Sequence, residues 1–251
     1  MSLIHDLKSI ARLLLFLALI LIKCEAYAIR PFVTDDARIV GEGIAQVETW
    51  AVFDRHAATH NALFAIGPTD WLEITSGFAH SYKFVDKQGY GISGGLLQFK
   101  ALLRDTKPNQ GPGVSFSVGV IPAIGSGSLT PDGVTKFGYA ILSQSFFNDD
   151  LLFHVNLGTS SRKDMQQTHT LTAGFGFQAR IIGGLHAVAE IYHGDPYNPT
   201  IQAMASQVGF RHIFNDTVQI DGTIGSTFDR PTEPWMTIGI RIVSPKLWQA
   251  F

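Results

Sequence analysis

Cysteine is almost missing from this 251-residue chain: the one thiol, Cys24, lies within its first thirty residues. If that stretch is removed as a leader, no disulfide, no cysteine-bound metal and no thiolate nucleophile can form in what remains. A thiol-free chain suits an oxidising compartment outside the cytoplasm. Charge is also scarce. Asp, Glu, Lys and Arg make up 16% of the residues, against roughly 25% in soluble proteins. The formal net charge is −2, and the densest clusters are pairs such as Asp35-Asp36 and Asp149-Asp150. No basic footprint exists for nucleic acid, and no acidic or basic tail. Beyond residue 28 no apolar stretch approaches the ~20 residues of a membrane helix. Yet hydrophobic residues reach 45%. Such a chain exposes apolar surface to something other than water, and a closed β-barrel is the remaining structure that satisfies every backbone polar group in lipid.

What is present begins with an address. Lys8 and Arg12 supply a positive region, Leu13 to Ile22 an unbroken apolar core, and Ala26-Tyr27-Ala28 the small residues a signal peptidase needs. The expectation is a signal peptide over 1–28 and a mature chain starting at Ile29. Acylation of Cys24 is disfavoured because Lys23 stands where a lipoprotein requires a small residue. Residues 29–42 then form an N-terminal periplasmic segment and 43–251 the barrel, placed in the outer membrane of a Gram-negative cell.

The mature chain counts as a transmembrane antiparallel β-barrel of about twelve strands in up-and-down order. Segments of alternating polarity recur about every ten residues between turn signals. Clear examples are 71–82, 91–103, 113–121, 151–159, 168–178, 185–192, 217–224 and 235–243, with weaker ones near 45–53, 59–66, 137–147 and 201–212. In 235–243 Met236, Ile238, Ile240 and Ile242 share one face, with Thr237, Gly239 and Arg241 on the other. Connections alternate as periplasmic turns and longer outer loops should. Two depart from the rule: Arg104–Pro112 is long for a turn and Arg55–Ala58 short for a loop. A hairpin centred between Asp86 and Lys87 sets Glu73 opposite Lys100 and Ile74 opposite Phe99, matching charge with charge and apolar with apolar. Ser244-Pro245 ends the last strand near Val243, since proline cannot donate to a ladder. The terminal Phe251 is the kind of mark by which the barrel-assembly machinery receives a C-terminal strand.

The stretch Ile29-Arg30-Pro31-Phe32-Val33-Thr34-Asp35-Asp36-Ala37, followed by Gln46-Val47-Glu48-Thr49-Trp50, resembles a family of exported proteobacterial proteins. That family is in turn similar to the outer-membrane transporters grouped with meta-pathway phenol degradation. The resemblance implies an outer-membrane barrel and passage of small hydrophobic or aromatic compounds. It carries no functional residues to transfer.

Alternation sends Glu48, Glu73, Lys100, Glu190, Arg211, Asp221 and Arg241 to the lumen, with Gln98, His154, Asn156, Gln178, His186 and Gln219 beside them. Four acids and three bases can form a constriction that filters solutes by size and charge. The same residues can instead form an ion-paired network filling a non-conducting barrel. Outer-membrane lipids and small solutes are the expected partners. An enzyme is not expected. His80 and Ser81 are neighbours pointing to opposite faces, and no Ser-His-acid spacing stands out. Nine single histidines and the adjacent Asp35-Asp36 make no metal site, so no cofactor is expected. Asp35 and Asp36 read as local partners for Arg or Lys at the periplasmic mouth.

Overall fold

The computed structural model describes residues 32–84, 89–163, 168–197, 202–229 and 232–248. The signal segment, its cleavage site after Ala28 and the terminal Phe251 lie outside the described residues. Among the described residues thirteen strands follow one another: β1 (Ala45–Asp54), β2 (Ala57–Ile66), β3 (Leu72–Lys83), β4 (Gly89–Arg104), β5 (Gly113–Ile121), β6 (Gly125–Gly127), β7 (Val134–Phe146), β8 (Leu151–Lys163), β9 (Thr168–Ile182), β10 (Leu185–His193), β11 (Met204–Ile213), β12 (Val218–Thr227) and β13 (Pro234–Val243). Twelve of them build the wall. Each pairs antiparallel with its sequence neighbours, and β1 pairs with β13 to close the ring. β6 is three residues of an outer loop folded back onto Gly91–Ser93 of β4.

The residues form these elements because each strand has one face for lipid and one for the interior. On β13, Met236, Ile238 and Ile242 are exposed outside, whereas Thr237 and Arg241 are buried inside. Polar and charged side chains outnumber apolar ones among the buried residues. That inverts the soluble pattern. Closure leaves every wall strand paired on both edges, so no open ladder faces the bilayer.

The register follows the hairpin argument: Glu73 pairs with Lys100 and Ile74 with Phe99. A bulge interrupts the same ladder, where Gly77 pairs with Leu96 and Phe78 with Gly94. The extra residue is Gly95, at φ +95°, a conformation that favours glycine. Between β1 and β2 the connection is only residues 55–56. The Asp54 carboxylate accepts from the N–H of His56 at 2.6 Å and of Ala57 at 2.8 Å, closing that turn locally. The longest connections, 122–133 and 194–203, lie at the opposite end from Gly67 and Gly184, which marks the Gly67 end as the periplasmic one.

Residues 32–43, ahead of β1, add no strand. Residues 32–40 lie inside the barrel: Phe32, Thr34, Asp36, Ala37, Arg38, Ile39 and Val40 are all buried. This is deeper than the mouth, because the wall offers polar partners along the whole path. Their apolar seat is a small cluster in which Ala37 meets Phe137, Tyr139 and Ile141.

Candidate functional site

The lumen is the candidate site, and its wall is set by the strand ladders. Glu48 of β1 stands opposite Arg241 of β13. Arg211 of β11 stands opposite Asp221 of β12, and Glu73 of β3 opposite Lys100 of β4. Glu190 projects from β10. All seven are buried in the interior, and three cross-strand pairs of opposite charge account for six of them. The seventh, Glu190, heads a chain of hydrogen bonds across four strands. Gln207 donates to it at 2.6 Å, Thr223 donates to Gln207 at 2.7 Å, and Thr223 and Thr237 share a bond of 2.7 Å.

The N-terminal segment then threads this wall. The Glu190 carboxylate accepts from the backbone N–H groups of Val33 and Thr34, each at 2.8 Å. Lys100 Nζ donates to Asp35 at 3.0 Å, and the Tyr139 hydroxyl donates to the same carboxylate at 3.2 Å. The Asn156 amide brackets the Asp35 peptide, accepting from its N–H at 2.6 Å and donating to its carbonyl at 3.0 Å. Ser143 accepts from the Ala37 N–H at 2.8 Å, and Glu73 from the Val40 N–H at 2.9 Å. Phe32 lies under the Arg211 guanidinium, 5.8 Å from it to the ring centroid. Backbone groups of an irregular segment are tolerated at membrane depth only when protein satisfies them, as here.

At the periplasmic end Arg38 is clasped. Its Nη2 reaches Asp149 at 2.5 Å and the Thr106 carbonyl at 3.3 Å. Asp149 ends a run of three non-glycine residues with positive φ, Phe147, Asn148 and Asp149. Such backbone strain persists only where surrounding contacts over-determine it. The 105–112 connection explains its own length: it crosses beneath the mouth, where Asn109 binds Ser145 and Phe147 and where Thr106 meets Arg38. From the opposite end Tyr197, in the β10–β11 loop, reaches in to donate to Gln98 at 3.0 Å and packs edge-on to Phe137.

Two clefts flank the segment. One, of about 470 Å³ with open solvent included, is lined by Phe32, Asp35, Glu48, Leu63, Glu73 and Tyr197 among others. The other, of about 240 Å³, lies between Thr34, Asn156, Gly174 and Tyr192.

Asp36 keeps its carboxyl below the ordinary range. Burial opposes its ionisation, but His154, Arg38 and Lys100 outweigh that cost. Ser143, His154 and Asp36 do come together, yet not as a catalytic triad. Ser143 at 2.8 Å and Asp36 at 3.7 Å both approach the same ring nitrogen, Nδ1. A triad histidine needs the two partners on opposite nitrogens. His80 pairs with His60 at 3.0 Å, a cross-strand contact away from Ser81, whose hydroxyl bonds Thr59 and Ala58. Among the described residues no group of three or more His, Asp or Glu is placed to hold a metal ion. The segment's place in the lumen, and Asp149 and Ser143 as its partners, are what sequence reasoning missed. Glu190, which faces Gly176 and Gln207 and no cation on the neighbouring strands, was the available signal.

A closed twelve-strand wall with an apolar exterior and a charged interior defines a transmembrane β-barrel of the outer-membrane type. The chain belongs to the family of uncharacterised conserved proteins UCP029691, whose model matches residues 17–244. Comparison with curated proteins finds no match. Solved barrels share the fold at low identity. An outer membrane channel from Pseudomonas putida F1 superposes with a TM-score of 0.63 at 9% identity, over 86% of this chain and 100% of that one. The KdgM porin gives 0.55 at 9% identity, covering 78% of this chain and 98% of its own. The NanC porin gives 0.55 at 10% identity, covering 79% and 98%.

Proposed function

We propose that the protein is an outer-membrane channel for small solutes, hydrophobic and aromatic ones among them. The observation that carries this reading is how the interior is filled. Wall side chains leave room for a whole peptide segment and still spare two clefts. A ring of twelve strands is wide enough for that, where eight strands are filled by their own side chains. Glu48, Glu73, Lys100, Glu190, Arg211, Asp221 and Arg241 then act as the filter, by the electrostatics of closely spaced rings of charge. Leu63 and Tyr197, on the wall and outer-loop side of the larger cleft, offer a solute an apolar surface. The structural neighbours are a channel and porins, and the exported family that the N-terminal stretch resembles is in turn similar to transporters grouped with phenol degradation. Both support passage, and the second supports aromatic solutes.

One observation favours a rival reading, a non-conducting barrel: the luminal charges are met by partners, so the network can stand for stability alone. Liposome flux separates the two. Folded protein in lipid vesicles should release a small phenolic solute faster than empty vesicles do. Release at the background rate, from a preparation shown to be folded, favours the silent barrel.

A further inference from the structure

We infer that residues 32–40 are a gate: a segment that closes the pore from within and leaves it toward the periplasm when the channel opens. The inference rests on the channel reading above. A filler that never moves is best anchored by apolar burial, as cores are. Besides its buried Phe32, Ala37, Ile39 and Val40, this segment is tied at both ends and in its middle by exchangeable polar contacts. Lys100 holds Asp35, Asp149 holds Arg38, and Glu190, Ser143 and Glu73 each accept backbone N–H groups. Every one of those wall groups can trade its partner for water or for an ionic solute, and each then becomes part of an open, charged lumen.

The attachment is built to turn. The segment joins β1 through Gly41 and Gly43, at φ +85° and +74°. Gly43 is pinned to the rim, its N–H donating to the Gly67 carbonyl at 2.8 Å. A Cβ on Gly41 would meet only Ile44, at ordinary contact distance. Hinges are a few such positions that absorb large changes of φ and ψ. Because the pin lies at the periplasmic end, rotation about Gly41 carries residues 32–40 out of that mouth. The clasp at Arg38 sits beside the hinge, on the strained Phe147–Asp149 turn. There a contact controls the swing with the shortest lever. From the outer side Tyr197 covers the same lumen through Gln98, so withdrawal of the segment opens the path that this loop flanks.

The test uses the full barrel in planar bilayers, with native protein, the double variant Asp35→Asn/Arg38→Ala, and Ala37→Cys. The native channel should rest closed with brief openings, and the double variant should raise the open fraction at least tenfold without lowering the conductance of the open state. The thiol introduced by Ala37→Cys, at a position otherwise sealed against Phe137, Tyr139 and Ile141, should react with a membrane-impermeant thiol reagent. Its rate should rise when Arg38→Ala is added. Heat-shifted gel mobility of each variant shows that it is folded. A steady conductance identical in native protein and double variant, with the introduced thiol unreactive in both backgrounds, overturns the gate and leaves the channel standing. Silence of every folded variant, a Thr34–Ile39 deletion included, removes the channel and the gate with it.

Discussion

Replacing Lys100 with Met keeps most of the side-chain volume and removes one charge from the most tightly coupled point of the lumen. Lys100 is fully buried, 3.0 Å from Asp35, opposite Glu73 in the ladder and within electrostatic range of Asp36. Its loss leaves carboxylates facing one another with no cation between them. Breaking a buried pair by removing one partner costs about 3–5 kcal/mol where the site is dry. Here a cleft reaches both Asp35 and Glu73, so water can hydrate part of the exposed charge. The expected loss is therefore about 2–3 kcal/mol. Adding Glu73→Gln removes one of the repelling carboxylates, and the double variant should recover at least about 1 kcal/mol relative to the sum of the single changes. Urea unfolding of the barrel in lipid vesicles reads both quantities, provided the slope with denaturant is unchanged. A loss below about 0.5 kcal/mol for Lys100→Met, or strictly additive effects in the double variant, would refute the claim that these groups form one network.

Three further outcomes are expected. Ile238→Arg places a charge on the lipid face of β13 and should cost about 2–4 kcal/mol, seen as loss of the heat-modifiable folded band; unaltered folding would mean that the face assignment is reversed. Asp36 has a depressed folded-state pKa, so its contribution is present above the ordinary carboxylate value and vanishes as pH falls through the folded one. Native protein should thus lose stability below about pH 4 more steeply than Asp36→Asn, and parallel acid profiles would contradict this. Intact mass of protein from outer membranes should correspond to a chain beginning at Ile29, whereas a fatty acid on Cys24 would make it a lipoprotein.

The wall was legible because a two-residue period is a strong signal when one side must face hydrocarbon. Met236, Ile238 and Ile242 could not have been placed inside without putting Arg241 in lipid, so facing and strand identity came together. The Glu73–Lys100 register was legible for the same reason: a slip of one residue would have sent both charges outward. Boundaries and irregularities were less so. β6 is three residues, Gly125, Ser126 and Gly127, with no side-chain pattern to announce it. The long 105–112 turn looked anomalous because its purpose, reaching Arg38 sixty-eight positions away in the chain, lies in tertiary contact rather than in local turn chemistry.

The N-terminal segment was illegible for a deeper reason. Periodicity reports a segment's relation to an extended surface, and residues 32–43 touch several walls at once, so no single period describes them. Phe32 meets the β8 and β11 side, Asp35 the β4 and β7 side, Val40 the β3 side. What the sequence does contain is an electrostatic demand. Buried carboxylates and cations on a barrel wall need partners, since an unpaired charge in that setting is costly. Cross-strand pairing meets the demand at Glu48 with Arg241 and at Arg211 with Asp221. It leaves Glu190 with no cation opposite it, only Gly176 and Gln207. The two backbone N–H groups of Val33 and Thr34 supply what that carboxylate lacks. A luminal acid facing a glycine on one neighbouring strand and a neutral amide on the other is thus the sequence-level trace of something placed inside the barrel. The consequence is measurable at one residue: Glu190→Gln should loosen the segment's inner end, raising the reactivity of a Val33→Cys probe several-fold while Arg38 still holds the other end. Equal reactivity in both backgrounds would show that Glu190 does not hold the segment.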